Sequence, residues 1–97
     1  MEIIKNLDND SLTIELKGRL DTTTAPDLEN ELNLDGVNSL VLNFKDLDYV
    51  SSAGLRVLLG AQKKMNSNGG SMVIKEVKPE IMEVFEMTGF DSILTIE

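Results

Sequence analysis

The sequence predicts an α/β sandwich of order β-β-α-β-α-β-α-β, a mixed sheet of about five strands with three main helices, and three observations carry that reading. Segments with the two-residue alternation of strands recur between segments with the three-to-four-residue spacing of helices. Helix start and stop residues punctuate the chain at matching intervals. Finally, 97 residues, 41% of them apolar, suffice for one core and are too few for two, so residues 1–97 are read as one domain.

Each element has its own local cause. Glu2 to Leu7 and Ser11 to Leu16 are β-rich runs separated by Asp8-Asn9-Asp10, whose side chains bond their own backbone in turns, which predicts an N-terminal hairpin. In the second run Leu12, Ile14 and Leu16 alternate with Thr13, Glu15 and Lys17, so this strand has one wet face. Thr24-Ala25-Pro26-Asp27 then opens a helix: Thr24 is the expected cap, Pro26 falls where no amide donor is missed, and Asp27 faces the positive helix end. Ala25, Leu28 and Leu32 share its inner face, and Gly36 is expected to close it.

Leu40-Val41-Leu42-Asn43-Phe44 is a near-continuous apolar run, predicting a central strand covered on both faces. A second helix is expected from about Ser52 to Asn66, with Leu55, Leu58, Leu59 and Met65 inward and Asn68-Gly69-Gly70 as its stop. Met72-Val73-Ile74 is the next strand. Pro79 opens a third helix with Ile81, Val84 and Phe85 inward and Glu80, Glu83 and Glu86 outward; Gly89 ends it, and Ile93 to Ile96 is read as a last strand.

Composition removes several chemistries. The chain has no Cys, so disulfides, thiolate catalysis and Cys-based zinc sites are excluded, and without His there is no imidazole base. Nine basic against 17 acidic residues give a net charge of −8 with no basic stripe, which argues against nucleic acid and for any steered partner having a basic surface. No apolar run approaches the roughly 20 residues of a membrane span, and the start Met1-Glu2-Ile3-Ile4-Lys5 lacks signal-peptide character, so a soluble, cytoplasmic protein is expected.

Chemistry is expected in the turn leaving the Leu40–Phe44 strand, because ligands of open α/β sheets meet loops at the carboxyl ends of parallel strands. That turn is read as Lys45-Asp46-Leu47-Asp48-Tyr49-Val50-Ser51-Ser52-Ala53-Gly54-Leu55. Two readings of its hydroxyls stand side by side. Ser51 or Ser52 caps the following helix, or one of them accepts a phosphate at a helix N-terminus, where free amides and the macrodipole stabilise negative charge. A nucleophilic-serine enzyme would need Lys as base and lacks the Gly-x-Ser-x-Gly elbow, and the glycines form neither a Walker loop nor a dinucleotide fingerprint. Asp21, Asp46 and Asp48 could pair or hold a hard metal, but turn and capping roles are the commoner use of such residues.

These motifs together resemble the bacterial anti-sigma factor antagonists, the small stand-alone members of the STAS domain superfamily. The resemblance rests on Gly18-Arg19-Leu20-Asp21 with Thr24-Ala25, on the apolar strand with Asp46-Leu47-Asp48-Tyr49-Val50-Ser51-Ser52-Ala53-Gly54-Leu55, and on Pro79 to Leu94 with Thr88-Gly89-Phe90. It implies a regulator that is not itself an enzyme and needs no cofactor or metal. Its unphosphorylated form would bind an anti-sigma factor that is also a serine kinase and thereby free a sigma factor; phosphorylation would end binding and a serine phosphatase restore it.

The family's phosphoacceptor, two positions before Gly-Leu, falls on Ser52, with Ser51 as second choice. The implied contact surface comprises Asp21, Thr22, Asp46, Asp48, Ser51, Ser52, Ala53, Gly54, Leu55 and Arg56 of a monomer. Members of the family commonly have Asp before the acceptor and Ser or Thr after it, where this chain has Ser51 and Ala53. A STAS subunit regulating a membrane transport system, without phosphorylation, is the alternative the same fold allows.

Overall fold

Alternation places Leu12, Ile14 and Leu16 on one side of β2 (Ser11–Leu20) and Leu40, Leu42 and Phe44 on one side of β3 (Ser39–Val50). In the computed structural model, which describes all residues 1–97, these two strands run parallel at the centre of a four-stranded sheet. β1 (Glu2–Asp8) pairs antiparallel with β2 through the two-residue turn Asn9-Asp10, where Asn9 takes the left-handed conformation at φ 57°. β4 (Ser71–Lys75) pairs parallel with β3, completing the order β1-β2-β3-β4.

Three helices, α1 (Ala25–Glu31), α2 (Ser52–Ser67) and α3 (Pro79–Thr88), make the connections and the cover. α2 contributes Leu55, Leu58 and Met65 to the core, α1 contributes Leu28, and α3 contributes Ile81 and Phe85. The Phe85 ring lies 6.4 Å from that of Phe44 at 41°, tying α3 to the middle of β3. Gly89 ends α3 in the left-handed conformation at φ 78°, as its position after the last helical residue requires.

Four sequence expectations are corrected. The Leu40–Phe44 run is covered on one face only: Val41 and Asn43 are half-exposed, and Val41 stands in register with Thr13 and Val73 on an uncovered sheet face. All the buried strand positions lie opposite them, where the helices supply their apolar side chains. The strand does not end at Phe44 but continues through Lys45–Val50, so the expected turn is itself strand.

The fifth strand is also absent. Gly89 turns the chain into a short 3₁₀ helix, Phe90–Ser92, which returns Phe90 toward the core, and the turn and bend at Ile93 and Leu94 that follow take up the first half of the segment. What remains is a single parallel bridge between Ile74 and Ile96, held by Ile74 N–H to Thr95 O and Glu97 N–H to Ile74 O, both 2.9 Å. Lastly, α1 stops at Glu31, not at Gly36, and a turn through Asp35-Gly36 lets Leu34 and Val37 reach the interior.

One polar side chain, Gln62 on α2, lies within this core at 6% exposure. Its amide nitrogen donates to Asn66 Oδ1 at 3.0 Å, whereas its Oε1 is buried with no hydrogen-bond partner. An unsatisfied buried carbonyl costs about 1–3 kcal/mol, more than the single bond to exposed Asn66 returns. Gln62→Leu is therefore expected to stabilise the fold by about 1 kcal/mol and raise the thermal midpoint by roughly 4–8 °C, measured by calorimetry.

Candidate functional site

The length of β3 creates the site. Ten residues of β2, Ser11–Leu20, pair with twelve of β3, Ser39–Val50, and the two extra residues enter as register shifts, one between Glu15 and Lys17 and one between Gly18 and Arg19. These bulges change the buried spacing along β3 from two (Leu40, Leu42, Phe44) to three (Leu47, Val50). As a result Leu20 pairs with Val50, Arg19 pairs with Tyr49, and both strands end together. Ser51 N–H donates to Leu20 O at 2.8 Å, which places Asp21 beside the start of α2.

At that start the two serines separate. Ser51 is the N-cap, extended at φ −96° and ψ 173°, and its hydroxyl oxygen accepts from the Gly54 amide at 3.3 Å. Ser52, the first helical residue, is exposed and its hydroxyl is free of the cap. Gly54 is what lets the helix begin here: a Cβ on it would lie 2.7 Å from Leu20 Cγ and 3.0 Å from Val50 Cγ2. Gly54 and Leu55, members of the expected contact set, are buried and hold the corner from within. Ala53 is half-buried, while Thr22 and Arg56 are exposed.

Asp21, not Thr24, organises the entry to α1. Its Oδ1 accepts from the Thr23 amide at 3.0 Å, the Thr23 hydroxyl at 2.7 Å and the Thr24 amide at 3.1 Å. The Thr24 side chain makes no cap of its own; its hydroxyl donates to Arg19 O at 2.7 Å and accepts from the Asp21 amide at 2.8 Å. The Thr23 hydroxyl, helped by the Thr24 and Thr23 amides against the opposing effect of desolvation, holds the Asp21 carboxyl below the usual aspartate value.

A depressed carboxyl contributes stability that is present above its unfolded value and lost as pH falls through the folded one. In Asp21→Asn, stability near pH 7 is accordingly expected to be lower and the acid-induced loss setting in below about pH 4 to be smaller than in the parent. Urea midpoints near pH 7 and near pH 3 read both changes.

The remaining acidic residues go elsewhere. Asp48 pairs with Lys78, the residue preceding α3, and raises the Lys78 pKa chiefly through that hydrogen bond; Asp46 pairs in register with Lys17. Asp21, Asp46 and Asp48 form no metal-holding cluster. A contact absent from the sequence reading joins the corner: the Arg19 guanidinium stacks 4.2 Å over the Tyr49 ring, with its Nε 3.7 Å from Asp21 Oδ2. Sequence separation hid it, because the pairing depends on both bulges.

This corner is an open surface. The one cleft of the molecule, about 370 Å³ and lined by Lys5, Leu7, Leu12, Asn33, Asp35 and Val37, lies at the other end of the sheet. No helix is long and apolar enough to cross a membrane. The STAS domain profile matches residues 2–97.

The chain belongs to the STAS domain family.

Two sequence relatives place this STAS chain with the bacterial anti-sigma factor antagonists. BtrV of Bordetella bronchiseptica, which carries that name, is 42% identical over 84 residues, covering 84% of this chain and 72% of that protein. The anti-sigma-B factor antagonist of Staphylococcus aureus is 30% identical over 86 residues, covering 86% of this chain and 80% of the other. Solved structures share the fold at lower identity. An anti-sigma factor antagonist from Mycobacterium paratuberculosis superposes with a TM-score of 0.84 at 20% identity, over 98% of this chain and 83% of that one. SpoIIAA of Bacillus in its phosphorylated form gives 0.78 at 18% identity, over 99% and 91%. The STAS architecture thus holds here with four strands in the sheet, not five.

Proposed function

We propose that this STAS chain is an anti-sigma factor antagonist switched by phosphorylation of Ser52. Unphosphorylated, it binds an anti-sigma factor with serine kinase activity, so that the sigma factor is released. The kinase transfers the γ-phosphoryl group of ATP: the Ser52 Oγ–P bond forms as the phosphoanhydride bond breaks, ADP leaves, and the hydroxyl proton passes to the kinase. A serine phosphatase restores the hydroxyl by hydrolysis: water attacks the phosphorus, the bond between phosphorus and the Ser52 oxygen breaks, and inorganic phosphate leaves. The protein acts as a cytoplasmic monomer and a regulator, without catalysis or a cofactor of its own.

The observation that carries this reading is the division of labour between the two hydroxyls. Ser51 is bound to the helix amide at Gly54, whereas Ser52 is exposed and free at the first position of α2. A phosphate there meets the positive end of a 16-residue helix, so the fold tolerates it. A protein partner, by contrast, must desolvate it at the interface. Relatives named as anti-sigma factor antagonists support the same role.

The test is intact-mass and peptide mass spectrometry after incubation with the host's candidate anti-sigma kinase and ATP, paired with binding before and after. One phosphate on Ser52 together with lost binding is expected. Modification of Ser51 instead, or stable association with a membrane transport complex and no phosphate, would overturn the proposal.

A further inference from the structure

We propose that Arg56 is the internal counterion of a phosphate on Ser52, folding over the first turn of α2 once the serine is modified. The inference rests on the phosphorylation reading and adds the residue that receives the charge. α2 begins at Ser52, so Arg56 lies four residues on, one turn along the same face. Helical side chains lean toward the N-terminus, which directs Arg56 toward Ser52.

Both residues are exposed, and Arg56 takes part in none of the four ion pairs of the molecule. The first turn of α2 has no acidic residue to compete for it. The other arginine of this corner is already occupied, since Arg19 stacks on Tyr49 and faces Asp21. The Ser51 hydroxyl holds the Gly54 amide, so a phosphate on Ser52 does not have that donor to itself. A guanidinium fork satisfies two phosphate oxygens at once, which no single amide does.

The arrangement makes phosphorylation change the surface twice. It adds about 1.5 to 2 negative charges and withdraws the cation of Arg56 from the face offered to the partner. An approaching anti-sigma factor therefore meets an ion pair with a net charge of about −0.5 to −1 where it had met a free cation.

Phosphoserine incorporated at position 52 during translation removes any dependence on the kinase, and phosphorus NMR follows its second ionisation, ordinarily near pH 6. That ionisation is expected about 0.15–0.4 unit lower in the parent than in Arg56→Gln, with Arg56→Lys between them and Arg19→Gln matching the parent. Salt at about 1 M should shrink the difference, as screening requires. Equal titration of the parent and Arg56→Gln, or a shift carried by Arg19→Gln, would overturn the inference. Far-UV circular dichroism verifies that each variant is folded. Failure of the phosphorylation reading is separately visible as an unmodified Ser52 in the kinase incubation.

Discussion

Phosphorylation of Ser52 is expected to weaken binding to the anti-sigma factor about a hundredfold, with Ser52→Asp showing the same direction and Ser52→Ala binding like the parent. The size follows from Coulomb's law. One like-charge pair about 5 Å apart at an effective dielectric near 20 costs roughly 3 kcal/mol, and every 1.4 kcal/mol is about tenfold in affinity. No refolding is needed, because Ser52 is exposed on the first turn of α2 and the added charge faces the positive helix end. The thermal midpoints of the three forms should accordingly differ little, surface changes of this kind lying within about 0.5 kcal/mol. Calorimetric titration of the purified partner reads the affinities. Equal binding by Ser52→Asp and Ser52→Ala would rule out an electrostatic switch at this residue.

The second large effect concerns Gly54 and uses Gly60, in the same helix, as its control. Alanine is favoured over glycine within a helix by about 0.8–1 kcal/mol, and at Gly60 an added Cβ meets nothing within 4 Å, so Gly60→Ala is expected to stabilise by about that amount. At Gly54 the same methyl lies 2.7 Å from Leu20 Cγ and 3.0 Å from Val50 Cγ2, both on fully or almost fully buried side chains. Overpacking of this kind costs about 1–3 kcal/mol, which exceeds the propensity gain. Gly54→Ala should therefore destabilise by up to about 2 kcal/mol, and the bulkier, β-branched Gly54→Val by about 3 kcal/mol or more.

The strain also bears on the site, since Leu20 precedes Asp21 and Val50 precedes Ser51. Partner binding by Gly54→Ala is expected to fall even under conditions where the domain stays folded. Urea unfolding of the two alanine variants gives the sign at each position. Changes of the same sign at both would show that backbone propensity, not the approach of α2 to the strand ends, governs this helix.

Most elements were legible because their causes are local. The Asp8-Asn9-Asp10 turn, the alternation of Leu12, Ile14 and Leu16, Pro79 at the start of α3 and Gly89 at its end each act within a few residues, and each is found where the pattern puts it. Where pattern and structure differ, the cause is long-range. Lys45–Val50 looked like a loop because Leu47 and Val50 break the two-residue period, a break that β-bulges against β2 produce. Thr24 looked like a cap because it precedes a Pro-containing first turn, yet the oxygen that binds the amides belongs to Asp21. Ile93 to Ile96 has strand composition, but the 3₁₀ turn before it leaves only one bridge with β4.

The class of fold, the number and order of the helices and the segment on which the candidate site lies can be read from the amino-acid pattern, because side-chain periodicity and capping chemistry need only near neighbours. Which serine is free, where Asp21 sits and why Gly54 has no side chain are long-range matters. Those depend on the register of β2 against β3, strands about thirty residues apart whose pairing absorbs two extra residues. A register of that kind is set by packing the whole buried face at once, and no local pattern contains it.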